Sequence, residues 1–207
     1  MKRRKPIIII NIVFLVLEVI GAILSFTENG WGLFRYFTDD SNYFATVSSI
    51  ILLVFLLQNK EIPKWFVKMR YVAVLLLALT FVITACVLAP MKGAAYFSLF
   101  TEGSKLYQHT FCPILFFISY FGLERKVPKE KKCIFCGMLP TIVYGVILVV
   151  LNLLRVVDGP YAFLRVYNQP IYMSAFWLVA IFGVDYLMAL GLWKLGRLAQ
   201  HASKKMA

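Results

Sequence analysis

Residues 71–90 run YVAVLLLALTFVITACVLAP, twenty positions without a single charged side chain. An α-helix rising about 1.5 Å per residue needs about that many residues to cross the roughly 30 Å of bilayer hydrocarbon. Five further apolar segments lie on either side of it, at residues 7–26, 41–59, 107–122, 138–154 and 171–193. Together the six leave only short connectors, so the 207 residues read as a single transmembrane domain. The runs are continuous, whereas strands of a membrane barrel alternate apolar and polar residues over about ten positions. The expectation is an all-α, polytopic membrane protein: a six-helix transmembrane bundle.

Composition agrees, since 61% of the residues are hydrophobic, only 15% are charged and the mean hydropathy is +0.78, values that exclude an ordinary water-soluble domain. A net charge of +12 in a soluble protein would suggest nucleic acid as a partner. The placement of the charge excludes it. Seventeen of the 22 Lys and Arg fall in connectors on one side of the alternating spans: Lys2 to Lys5, then Lys60, Lys64, Lys68 and Arg70, then Arg125, Lys126, Lys129, Lys131 and Lys132, and finally Lys194, Arg197, Lys204 and Lys205. Arg35, Lys92, Lys105, Arg155 and Arg165 fall on the other. The positive-inside rule then predicts both termini in the cytoplasm. The basic N-terminus followed by residues 7–26 reads as an uncleaved first span, because the run exceeds a signal-peptide core and no small-x-small cleavage site follows it.

No cofactor is expected: there is no Gly-rich phosphate loop and no H-E-x-x-H. Cys133 and Cys136 form a C-x-x-C without two further ligands nearby, and with Cys86 and Cys112 they read as unpaired structural thiols.

The candidate chemistry lies at the outer ends of the spans. Residues 34–41 (FRYFTDDS) and 97–104 (FSLFTEGS) share the pattern F-x-x-F-T-[DE]-x-S, 63 residues apart, and suggest a tandem two-helix unit. Thr, Asp and Ser ahead of an apolar run also serve as helix caps. His109 opens the fourth span, four residues before Pro113, which has no N–H for the His109 carbonyl. The turn there should be irregular, and a neutral imidazole beside it is suited to act as a base. Strict alternation of the spans puts Thr38 and His109 at similar depth, with Asp39 and Asp40 in position to orient the imidazole. Glu18 lies roughly 12 Å of helix rise inside the first span and Asp185 in the inner half of the sixth. Buried carboxylates in a membrane mark either function or a satisfied structural contact. Arg155, after the fifth span, suits either an anionic headgroup or the lipid surface.

Three short motifs carry a resemblance. Phe37-Thr38-Asp39-Asp40-Ser41-Asn42, His109-Thr110 with Pro113, and Pro160-Tyr161 with Phe163 and Leu164 resemble bacterial six-span membrane proteins distantly similar to the androgen-induced family of transmembrane hydrolases. The resemblance implies a protein of the bacterial cytoplasmic membrane, with Thr38 as nucleophile and His109 as its partner. Asp39, Asp40, Ser41, Asn42, Glu18 and Arg155 would line or orient the site, and the substrate would be a membrane lipid ester, notably a fatty acid ester of a hydroxy fatty acid. Thr101, in the second repeat copy, is the rival nucleophile. Two other readings stand beside hydrolysis: a proton-coupled permease using Glu18, Asp185 and His109, and a non-catalytic membrane protein in which Thr38 only caps its helix.

Overall fold

The computed structural model describes residues 4–205, with side chains through residue 201. Of the basic positions counted above, Lys2 and Arg3 lie outside the described residues, as do the side chains of Lys204 and Lys205. The described chain is helical, without strands. Its principal helices are α1 (Arg4–Asn29), α2 (Phe37–Leu57), α3 (Lys64–Ile83), α4 (Cys112–Phe117), α5 (Cys133–Leu153) and α6 (Ile171–Lys205).

Five of these, α1, α2, α3, α5 and α6, are long and apolar enough to cross a membrane. The fourth expected span is built differently. Residues 106–124 are helical throughout, but α4 is a short α-helical core between two wider π-turns, Leu106–Phe111 and Ile118–Glu124. The irregular turn expected before Pro113 takes this form: the N–H of Cys112 reaches back five residues, to Tyr107, instead of four. Such π segments are common where a helix must place a functional side chain. Several ends also move outward from the apolar runs, because basic and polar residues continue a helix whose apolar stretch has finished; α3 begins at Lys64, not at Tyr71.

The molecule is inverted relative to a soluble protein. Ile9, Val16, Val19 and Ile23 of α1 are exposed, while Asn11, Glu18 and Ser25 of the same helix are buried. Those three are spaced seven residues apart, two turns, so they form one polar stripe facing the bundle. In water this would be ruinous; in hydrocarbon the apolar face meets lipid and the polar stripe must find partners inside.

Helix α3 is the central element and packs against α2, α4, α5 and α6. Its Tyr71, Val74, Leu75 and Leu77 join Phe14, Phe116 and Tyr120 in the main core. Helix α1 lies against α2 and the α4 region. Gly21 permits that approach: a Cβ there would sit 3.0 Å from Tyr107 Cβ.

Arg70, counted above among the cytoplasmic connector charges, is instead buried within α3. It is ion-paired with Glu124, and its guanidinium also donates to Ser48 and Ser49 at 3.0 Å each. Glu124 accepts from Ser119 at 2.7 Å, Ser119 from Asn11 at 2.9 Å, and Arg70 stacks 4.0 Å from the Phe116 ring centre. One polar network thus closes one end of the bundle across α1, α2, α3 and the α4 region. The candidate site lies at the opposite end.

Candidate functional site

The chain enters α2 through an extended Tyr36, and Thr38 is the second residue of the helix. Its hydroxyl lies 3.1 Å from Nε2 of His109, which the π-turn before α4 carries. The other ring nitrogen, Nδ1, lies 2.7 Å from the carbonyl oxygen of Leu99. A carbonyl can only accept, so Nδ1 carries the proton and Nε2 of the neutral ring offers its lone pair. The Thr38 hydroxyl therefore donates to His109. Hydroxyl, imidazole and carbonyl are hydrogen-bonded in series, an arrangement chemically able to serve as nucleophile, base and orienter.

Both side chains are nearly inaccessible, 8% exposed for Thr38 and 7% for His109, and the surrounding polar groups hold them in place. The Thr38 carbonyl accepts from Ser41 Oγ and from Asn42 Nδ2, both at 2.8 Å. Asn42 Nδ2 also reaches the Gln108 carbonyl at 3.2 Å, tying α2 to the π-turn beside His109. Ser41 is linked to Thr80 of α3 at 2.9 Å. The short turn Ser98–Thr101 is held against the π-turn by Leu99 O on His109 and by Thr110 Oγ1 on Phe100 O at 2.8 Å.

The expected partners of the imidazole are placed otherwise. Asp39 accepts from Ser25 at 2.6 Å and from Gln108 Nε2 at 2.9 Å, so it fastens α1 and the π-turn to α2 and does not touch His109. Successive helical residues project about 100° apart. Asp40 accordingly lines a different cleft, with Phe34, Phe37 and Tyr144. The orienting role falls to the Leu99 carbonyl, for which a sequence carries no side-chain signal. Thr101 is exposed and its hydroxyl donates to the carbonyl of Phe97 at 2.9 Å, a local cap with no base beside it. Arg155 is exposed at the end of α5 and stacks 4.6 Å from the Tyr167 ring centre, outside the site. Glu18 is buried beside the Cys112 thiol and Asp185 beside Thr141; neither carboxylate lines the cavities at Thr38.

Two cavities meet at Thr38. One, of about 660 Å³, is the more polar of the two, its lining mixing Leu88, Met91 and Leu99 with His109, Asp39, Gln108, Lys92, Lys105 and Arg165. The other, about 60 Å³, is apolar and is lined by Phe37, Ile83, Gly145, Phe163, Leu178 and Phe182. Tyr161 borders both. Its phenol faces the start of α2, and burial pushes it up to about 12, so it stays protonated at any ordinary pH. The N–H of Phe37 is taken by Tyr144 Oη at 3.1 Å, whereas that of Thr38, in the first helical turn, has no carbonyl acceptor among the described residues. Tyr161 and the first turn of α2 thus border the Thr38 hydroxyl on the side where the two cavities meet. No group of His, Cys, Asp and Glu among the described residues is arranged to hold a metal ion.

The chain matches no known family model, no curated protein and no solved structure. The chemistry of the site therefore rests on its own geometry.

Proposed function

We propose that the chain is a six-span enzyme of the bacterial cytoplasmic membrane, both termini cytoplasmic, that hydrolyses a carboxylic ester of a lipid. The observation that carries the reading is the series Thr38 hydroxyl, His109 imidazole and Leu99 carbonyl, set where a polar and an apolar cavity meet. Thr38 Oγ1 attacks the ester carbonyl carbon while its proton passes to His109 Nε2. The tetrahedral oxyanion takes hydrogen bonds from Tyr161 O–H and Thr38 N–H. Collapse expels the alcohol oxygen, which takes the proton back from Nε2 and leaves an acyl-threonine. Water, deprotonated by His109, then attacks that ester; the carboxylic acid departs and the proton returns to Thr38. Neutral histidine, fixed as the Nδ1–H tautomer, suits both half-reactions.

The test is release of fatty acid from lipid esters by the purified protein in lipid nanodiscs. Thr38→Ala and His109→Ala should each lower the rate at least about 100-fold, while Thr38→Ser, which keeps a hydroxyl, retains measurable turnover. Undiminished hydrolysis in both alanine variants would sink the mechanism.

A second reading is proton-coupled transport. Glu18 and Asp185 favour it, because their carboxylates are buried and, among the described residues, meet only the Cys112 thiol and the Thr141 hydroxyl, with no cation. Proton flux into proteoliposomes that disappears in Glu18→Gln, with no ester hydrolysis, would replace the first reading by this one.

A further inference from the structure

The polar cavity beside Thr38 contains acids and bases in different conditions. Its two acids are engaged, Asp39 through Oδ1 alone. Glu28 accepts from the Ser104 N–H at 2.9 Å and the Ser104 hydroxyl at 2.7 Å, and Asp39 accepts from Ser25 and Gln108. Its three cations are not. Lys92, Lys105 and Arg165 have no carboxylate partner among the described residues. Arg165 uses only Nε, donating to the Gly159 carbonyl at 2.9 Å, so both terminal amino groups of its planar fork are unbonded among the described residues. The cavity's three unpaired cations therefore outnumber its two acids, and their natural complement is an anion with several acceptor oxygens.

Position narrows the choice. At about 660 Å³ the cavity is sized for a whole polar group, in the range of small-molecule sites, and it begins at the nucleophile itself. An ester held at Thr38 thus has its anion only a short polar link away. In a glycerophospholipid two or three glycerol carbons separate the acyl ester from the phosphate ester, which meets that condition. In a fatty acid ester of a hydroxy fatty acid, a hydrocarbon chain separates the ester from the free carboxylate and would have to cross the polar cavity.

We infer that the substrate of this site is an acyl ester of a glycerophosphate lipid, its phosphate held by Lys92, Lys105 and Arg165 while the start of its acyl chain enters the apolar pocket at Phe37, Gly145 and Phe163. The inference rests on the hydrolase reading for its chemistry, but the anion site stands on the cations alone.

The experiment compares three esters of one fatty acid with the purified protein: lysophosphatidylglycerol, the uncharged monoacylglycerol, and the ester of a hydroxy fatty acid. Fatty acid release is followed by mass spectrometry, and protein melting is recorded with each lipid. The expected result is a kcat/KM for lysophosphatidylglycerol about ten-fold or more above that for either other ester. In Lys92→Gln/Lys105→Gln/Arg165→Gln that ratio should fall toward one. Arg165→Lys, which keeps the charge but loses the fork, should give an intermediate ratio. Equal turnover of the charged and uncharged glycerol esters, or a ratio that survives the triple substitution, overturns the phosphate site and leaves the hydrolase reading intact. A preference for the hydroxy fatty acid ester likewise overturns the phosphate assignment. If no ester is cleaved but lysophosphatidylglycerol alone raises the melting temperature, and the triple variant loses that shift, the hydrolase reading fails while the phosphate site stands. No cleavage and no selective shift overturn both.

Discussion

His109 shows how much a single residue's role depends on what its second nitrogen touches. The Leu99 carbonyl fixes the proton on Nδ1 without adding charge, unlike the carboxylate of a Ser-His-Asp series. Asp39 and Asp40 sit next to Thr38 in the chain and still do not reach the ring, because one is spent on Ser25 and Gln108 and the other faces another cleft. An oxyanion role for Tyr161 predicts that Tyr161→Phe lowers kcat by about 10²–10³ with little change in KM, because the phenol strengthens its bond only as the oxyanion forms. Steady-state kinetics on a soluble ester would check this; a change confined to KM would count against the role. Arg70 offers a contrasting case at the same scale. With Arg70 and Glu124 both buried, Arg70→Met alone should destabilise the protein by about 3–5 kcal/mol, whereas Arg70→Met with Glu124→Leu should recover much of the loss. Reversible unfolding in mixed micelles measures both variants, and equal losses would show that the pair itself is net stabilising.

Among the elements, the α4 region is the one whose shape matters most for the site. A regular helix through residues 106–124 would carry His109 around its axis relative to Pro113 and Phe116; the π-turn instead holds His109 toward α2 and leaves Cys112 and Phe116 in the core. Its position depends on α1 lying close, which Gly21 allows. Gly21→Val should therefore cost about 1–3 kcal/mol of stability through overpacking against Tyr107, and should depress ester turnover more than melting alone explains, because Tyr107 lies two residues from His109. Activity at a temperature well below the variant's melting point separates the two effects. Unchanged activity in a folded Gly21→Val protein would mean that the contact only spaces the helices.

Across the whole molecule, the hydrogen-bonded polar networks divide between the two ends of the bundle. Arg70, Glu124, Ser119 and Asn11 interlock at one end, and Thr38, His109, Asp39 and Gln108 at the other, with the apolar core of α3 between them. The proposed orientation puts the first end at the cytoplasmic face. Cys136, exposed near the start of α5, then serves as a reporter. In a variant retaining only that cysteine, a membrane-impermeant maleimide should label inverted vesicles and spare intact cells after outer-membrane permeabilisation. The opposite pattern would reverse the topology and place the Thr38 site in the cytoplasm.

The apolar runs alone pointed to a helical membrane protein, because several runs of about twenty apolar residues match the thickness of a bilayer and their pattern is local to each segment. For Thr38 and His109 helix alternation set a similar depth, because both open their segments at the same end, and the motif resemblance picked that pair over Thr101. Rotation about each helix axis is a different matter, since it is decided by which side chains pack between helices far apart in the chain. Tertiary structure alone therefore sent Asp40 and Arg155 away from the base, brought the Leu99 carbonyl to Nδ1, buried Arg70 against Glu124, and gathered Lys92, Lys105 and Arg165 around one cavity. Depth follows from counting residues along one helix, but facing requires all of them together.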